Sequence, residues 1–129
     1  MLRKSVLSLI ALPLAALAAT VITAGPAAAD GGVCNPGCAA HVEFQSYGEI
    51  FTVHDYEDDG IGTVGEIEWV DPASGVIFGS VVTNHNGYYG PPRVQNLDIP
   101  EGTRVKYRAC LDTWPGTDQK CSGWYRDVA

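Results

Sequence analysis

The chain has 129 residues, with eight Lys and Arg against fifteen Asp and Glu and a formal net charge of −7. An acidic excess of this size repels phosphate, so nucleic acid and anionic lipid are not expected partners. The charge is uneven: residues 30–92 hold ten acids and no Lys or Arg, while residues 93–129 hold six bases and five acids.

In chain order, Arg3 and Lys4 precede a mostly apolar run from Val6 to Ile22, and Ala27-Ala28-Ala29 offers an A-x-A cleavage site. Residues 1–29 therefore read as a signal peptide, and 30–129 as one exported domain with no membrane segment after cleavage. A retained membrane helix is the competing reading, and Pro13 and the small-residue flank oppose it. Removing Arg3 and Lys4 leaves six bases against fifteen acids, a net charge of −9. So small a domain has a modest core that often needs covalent support. An even set of cysteines in an exported chain, here Cys34, Cys38, Cys110 and Cys121, reads as two disulfides. Three connectivities are possible. Cys34–Cys38 across the NPG turn and Cys110–Cys121 across a hairpin are favoured. A four-thiolate zinc site is the alternative, and spacings of three and ten intervening residues fit it poorly.

Beyond residue 30, short runs of β-branched and aromatic residues alternate with Gly, Pro, Asn and Asp. They predict strands at 41–46, 49–55, 63–70, 76–83, 93–99, 103–111 and 121–126. Seven such strands predict a single all-β, immunoglobulin-like two-sheet sandwich. In the sixth strand Val105, Tyr107, Ala109 and Leu111 share one face, and Arg104, Lys106, Arg108 and Cys110 the other. In the third, Ile67 and Trp69 oppose Glu66 and Glu68. The third and sixth strands are neighbours in such a sandwich. Glu66 and Glu68 should then lie beside Arg104, Lys106 and Arg108, each opposite-charge pair contributing roughly 0.2–1 kcal/mol. With Cys110 and Cys121 facing outward, alternation turns Tyr125 outward and Trp124 inward beside Tyr107. Trp124 and Trp69 then read as core aromatics.

Three stretches are candidates for a site. In HDYEDDGIGTVGEIEW the residues Asp55, Glu57, Asp59, Gly60 and Glu66 approximate the spacing of an EF-hand loop. Position eight is Gly62, and both flanks read as strands rather than helices. The turn therefore reads chiefly as a strand connection, with a weaker calcium site of Asp55, Glu57 and Asp59 as the lesser alternative. In NHNGYYGPP, Tyr88 and Tyr89 sit between glycines. Paired tyrosines on such a loop suit recognition, because they bury area at low entropic cost; packing under the loop is the competing reading. Trp114, in the last hairpin, is an exposed aromatic anchor by the same logic. Catalytic signals are lacking. His41, His54 and His85 show no metal-ligand spacing, no nucleophile elbow occurs, and the thiols are expected to be oxidised. No enzyme and no cofactor are expected.

LDIPEGTRVKYRAC followed by CSGWYRD resembles the end of a fibronectin type III or related Ig-like domain. Residues 44–129 as a whole resemble small secreted proteins of actinobacteria. These share a GEIFTVHD-like segment leading to a DG turn, and an EGT-led strand ending in R-A-C before a C-S-x-W strand. The resemblance implies the sandwich fold, secretion and the Cys110–Cys121 pair, and carries no activity with it. Trp124-Tyr125-Arg126 is similar to the Trp-Arg-Tyr triplet of secreted amylase inhibitors, but differs in order, in lying on a strand and in cysteine spacing. The leading expectation is a secreted, monomeric, non-enzymatic binding module for an extracellular protein or polysaccharide. The alternatives are a hydrolase inhibitor and a structural or cell-surface-associated protein.

Overall fold

The computed structural model describes residues 30–113 and 117–129. The expected signal peptide and Trp114 lie outside the described residues. Those residues form nine strands: β1 (Asp30–Cys34), β2 (Ala40–Gln45), β3 (Ile50–Asp55), β4 (Gly62–Val70), β5 (Ile77–Asn84), β6 (Arg93–Asn96), β7 (Arg104–Thr113), β8 (Thr117–Gln119) and β9 (Tyr125–Val128). No helix occurs among them. One sheet has the order β1-β2-β3-β6. The other has β5-β4-β7, with β8 and β9 pairing successive stretches of the same β7 edge. All pairings are antiparallel.

The predicted all-β sandwich is present, with the pairs Cys34–Cys38 and Cys110–Cys121. The expected adjacency of the Glu and Arg/Lys strands holds as well. Glu66 stands opposite Arg108 and Glu68 opposite Lys106. Arg108 Nε lies 2.5 Å from Glu66 and Lys106 Nζ 3.0 Å from Glu68.

Three elements differ from expectation, one of them β8, since no strand was predicted between residues 111 and 121. β1 was not predicted, because Gly31 and Gly32 weaken any strand signature. Both glycines have a spatial role. A Cβ on Gly31 would lie 2.6 Å from the Tyr107 hydroxyl, and one on Gly32 2.9 Å from His41 Nε2. The last predicted strand, 121–126, is out of phase. Lys120 adopts a left-handed φ of 49°. Ser122 then stands in for a strand residue: its Oγ accepts from Ala109 N at 3.0 Å and its own N–H donates to Ala109 O at 2.8 Å. Pairing resumes only at β9: between the Leu111–Gln119 and Tyr107–Tyr125 pairs this side takes six residue steps against four on β7, so the outward Cys121 does not set the phase of Tyr125. Tyr125 therefore turns inward against Tyr107, ring centroids 5.4 Å apart. Trp124 lies outside, its ring 4.6 Å from both Lys106 Nζ and the Arg108 guanidinium. Trp124 is thus not a core aromatic. Trp69 belongs to the core margin, half-buried and stacked on Phe78.

The core lies between the sheets. Val42, Phe44, Phe51 and Val53 of one sheet meet Ile67, Val105, Tyr107, Ala109 and Leu111 of the other. The Tyr107 ring packs against Phe44 and Phe51, and its hydroxyl donates to Asp127 at 3.3 Å. Gly65, opposite Ala109, faces this core. A Cβ there would come within 2.8 Å of Phe51 and Val42 and 2.7 Å of Val53. The facing sheet therefore packs directly onto the Gly65 backbone.

Gly65→Ala should lower stability by about 1–3 kcal/mol, the range for overpacking a filled core, which exceeds the gain of about 0.4–1 kcal/mol from a stiffer unfolded chain. Trp124→Ala should cost on the order of 1–2 kcal/mol, since it removes partly buried cation–π contacts, rather than the roughly 3–5 kcal/mol of an emptied core tryptophan site. Urea unfolding of both variants measures this.

Candidate functional site

Antiparallel alternation brings three connections to one end of the sandwich: the β1–β2 turn closed by Cys34–Cys38, the acidic β3–β4 turn at 56–61, and the β5–β6 loop at 85–92. Two hydrogen bonds clamp the sheets together beneath them. Thr63 Oγ1 donates to His54 O at 3.1 Å, and the buried Asn84 Nδ2 donates to Val53 O at 3.0 Å.

Asn84 also fixes the tyrosine loop. Its Oδ1 accepts from Asn86 N at 2.8 Å, Asn86 Nδ2 donates to Pro91 O at 2.9 Å, and Gly90 N donates to Gly87 O at 3.1 Å. A Cβ on Gly90 would meet the Asn86 carbonyl oxygen at 2.3 Å, so this closed form needs glycine there. The loop holds Tyr88 and Tyr89 edge to face, centroids 4.9 Å apart, with 48% and 86% of their surfaces exposed. Neither tyrosine folds under the loop into the core.

The acidic turn lies beside them. Asp55, Glu57, Asp58, His85 and Tyr88 line one small cavity of about 130 Å³. Within the turn the carboxylates act on their own backbone. Asp55 Oδ1 accepts from Glu57 N at 3.2 Å, and Asp59 Oδ1 from Ile61 N at 2.8 Å. Such Asx turns shape a chain reversal without a metal. Glu66, the twelfth position of the EF-hand pattern, is on β4 and pairs with Arg108. Burial, reinforced by Asp59 and Asp58, raises the Asp55 pKa above the usual carboxylate value, against the opposing Glu57 N–H bond.

Residues that sequence reasoning left apart come together on the outer face of β2 and β3. His41 stands opposite His54 in the ladder, and Glu43 lies two residues along the same face of β2. Glu43 Oε2 is 3.0 Å from His54 Nε2. Desolvation holds the His41 pKa below the ordinary imidazole value, outweighing the pull of Glu43, so its ring is neutral near pH 7. Linear spacing hides this group because it spans a hairpin. Counting outward from the Tyr47–Gly48 turn along the two predicted strands would have placed His41 across from His54. The β5 surface was also missed. Ile77 and Val81 are 70% and 65% exposed, on an edge strand.

Asp55→Asn tests the turn. Because the folded state raises the Asp55 pKa, its ionisation opposes folding once pH rises through that pKa. The Asn variant, which keeps the Oδ1 acceptor, should be at least as stable as the native protein at pH 7. The difference should vanish as pH falls below the ordinary carboxylate value of about 4. Millimolar calcium should shift the thermal midpoint of neither protein by more than a degree or so, well short of the roughly 2.7 kcal/mol expected from a hundredfold excess over a dissociation constant.

Comparisons with family models, with characterised proteins and with solved structures give no match to this chain.

Proposed function

We propose that the protein is a secreted, non-enzymatic, Ig-like binding module whose Tyr88–Tyr89 loop contacts an extracellular protein or glycan. One observation carries this reading: two mutually packed, exposed tyrosines stand on a loop already locked by Asn84, Asn86 and Gly90. Rigid aromatics of this kind lose little entropy on binding, so their buried area converts efficiently into affinity. Secretion is supported by the two disulfides, which belong to an oxidising compartment. No helix among the described residues is long and apolar enough to cross a membrane. The Ig-like assignment is supported by the β4–β7 pairing at the centre of one sheet and by the chain crossing between sheets at β3–β4, β5–β6 and β6–β7.

The test is a binding screen of the protein against secreted proteins, hydrolases and polysaccharides. Tyr88→Ala and Tyr89→Ala should leave stability within about 0.5 kcal/mol. Each should weaken a captured ligand by up to about 2 kcal/mol if it is an anchor. Unchanged affinity in the double variant would remove the loop from the site. Loss of a hydrolase's activity on titration would move the inhibitor reading ahead.

The β5 edge favours a second reading, that of a structural or cell-surface-associated protein. Its exposed Ile77, Phe78 and Val81 lie on a strand unpaired on one side among the described residues, a form prone to edge-to-edge association. Light scattering should then show concentration-dependent association of the native protein. Ile77→Lys with Val81→Lys should abolish it, and a monomer at all concentrations would count against this reading.

A further inference from the structure

The His41–Glu43–His54 group lies apart from the tyrosine loop and calls for its own explanation. One ligand atom from each residue falls within 4.8 Å of the others, and no further His/Cys/Asp/Glu group of three or more with this convergence occurs among the described residues. An ordinary ion pair accounts for only part of the arrangement. His54 Nε2 meets Glu43 Oε2 at 3.0 Å, but His41 Nδ1 lies 3.9 Å from Glu43 Oε1, too far for a hydrogen bond. That nitrogen is shielded from solvent and has no hydrogen-bond partner. A buried ring nitrogen left unpaired is costly, and it faces a carboxylate and a second imidazole.

We propose that His41 Nδ1, the Glu43 carboxylate and His54 Nε2 form a binding site for one divalent transition-metal ion of the zinc type. Two imidazoles and one carboxylate are a common three-ligand set for zinc, leaving a fourth position for water or an external donor. Two nitrogens disfavour calcium and magnesium, which prefer all-oxygen sites. Tetrahedral bonds of about 2.0–2.2 Å place ligand atoms roughly 3.4 Å apart, so closure needs a movement of about an ångström. Glu43, whose side chain is half exposed, can supply its share of that movement, and the two imidazole rings must supply the approach of one nitrogen to the other.

The surroundings favour the same conclusion. Tyr56 stacks on both rings, centroids 5.5 Å from His41 and 5.2 Å from His54, and limits their rotation. Its backbone N–H is itself anchored to Ala39 O at 2.8 Å. Gly32, across from Glu43 on β1, presents no side chain to cover the group. β1, β2 and β3 contain no Lys or Arg, so none of these strands brings a fixed cation to compete with the ion.

Isothermal titration of untagged, disulfide-intact protein with zinc chloride tests the site. One zinc per chain is expected, with a rise in thermal midpoint on saturation. Glu43→Gln should weaken binding by at least about tenfold, the lower range for losing a metal-site group. His54→Ala should abolish it, and His85→Ala should leave it intact. Cobalt(II) should give visible ligand-field absorption in the native protein and none in His54→Ala. Circular dichroism and melts without metal establish that each variant is folded, and Glu43→Gln keeps the test valid should a histidine variant fail to fold. No saturable zinc binding, binding unchanged in folded Glu43→Gln and His54→Ala, or equal binding of calcium would each overturn the proposal.

Discussion

The sandwich depends on the close approach of its sheets over Gly65. Gly65 and Ala109 face each other on β4 and β7, and this small pair admits Val42, Phe51 and Val53 from the opposite sheet. A side chain at position 65 would lift those three residues away and loosen their packing against Ile67 and Tyr107. Dense packing contributes through many small contacts, each lost steeply with distance. The backbone contact at Gly65 therefore sets the spacing at which the larger aromatics meet.

That spacing determines what happens at the loop end. Thr63 and Asn84 can reach backbone carbonyls of β3 only because the sheets are close there. Asn84 then links the core to the surface: one end of its amide holds Val53 O, and the other organises the loop that displays Tyr88 and Tyr89. The acidic turn packs beside that loop, and the outer face of β2 and β3 carries the His41–Glu43–His54 group beneath Tyr56. The proposed recognition loop, between β5 and β6, and the proposed metal site, on β2 and β3, are thus linked through β3 by the Asn84–Val53 bond, and neither requires the other.

Charge along the chain is resolved across strands. Acids of β4 meet bases of β7 at Glu66–Arg108 and Glu68–Lys106, all partly exposed, so each pair contributes modestly. Trp124 then lies over the Lys106 and Arg108 cations. The outer face of this sheet is consequently a layered surface rather than a free basic patch.

Most of the architecture was legible in the sequence. Alternation within residues 103–111 identified the buried and exposed faces of β7, and the expected sandwich topology named its partner strand, whose acids complement the bases of β7. Cysteine spacing favoured the two pairings found. These features are local or periodic, so a single chain displays them directly. The inward turn of Tyr125 was not legible, because it follows from the positive φ of Lys120 and the Ser122 bonds that interrupt alternation. Nor was β1, whose glycines earn no strand propensity and make sense only beneath Tyr107 and beside His41. By itself the sequence determined a disulfide-paired, all-β chain with a recognisable register on its longest strand. Only the tertiary structure decided which side chains share a site. His41 and His54 are distant in sequence and become neighbours through pairing across a hairpin, and the exposure of Tyr88, Tyr89 and β5 depends on how the sheets end and what covers them.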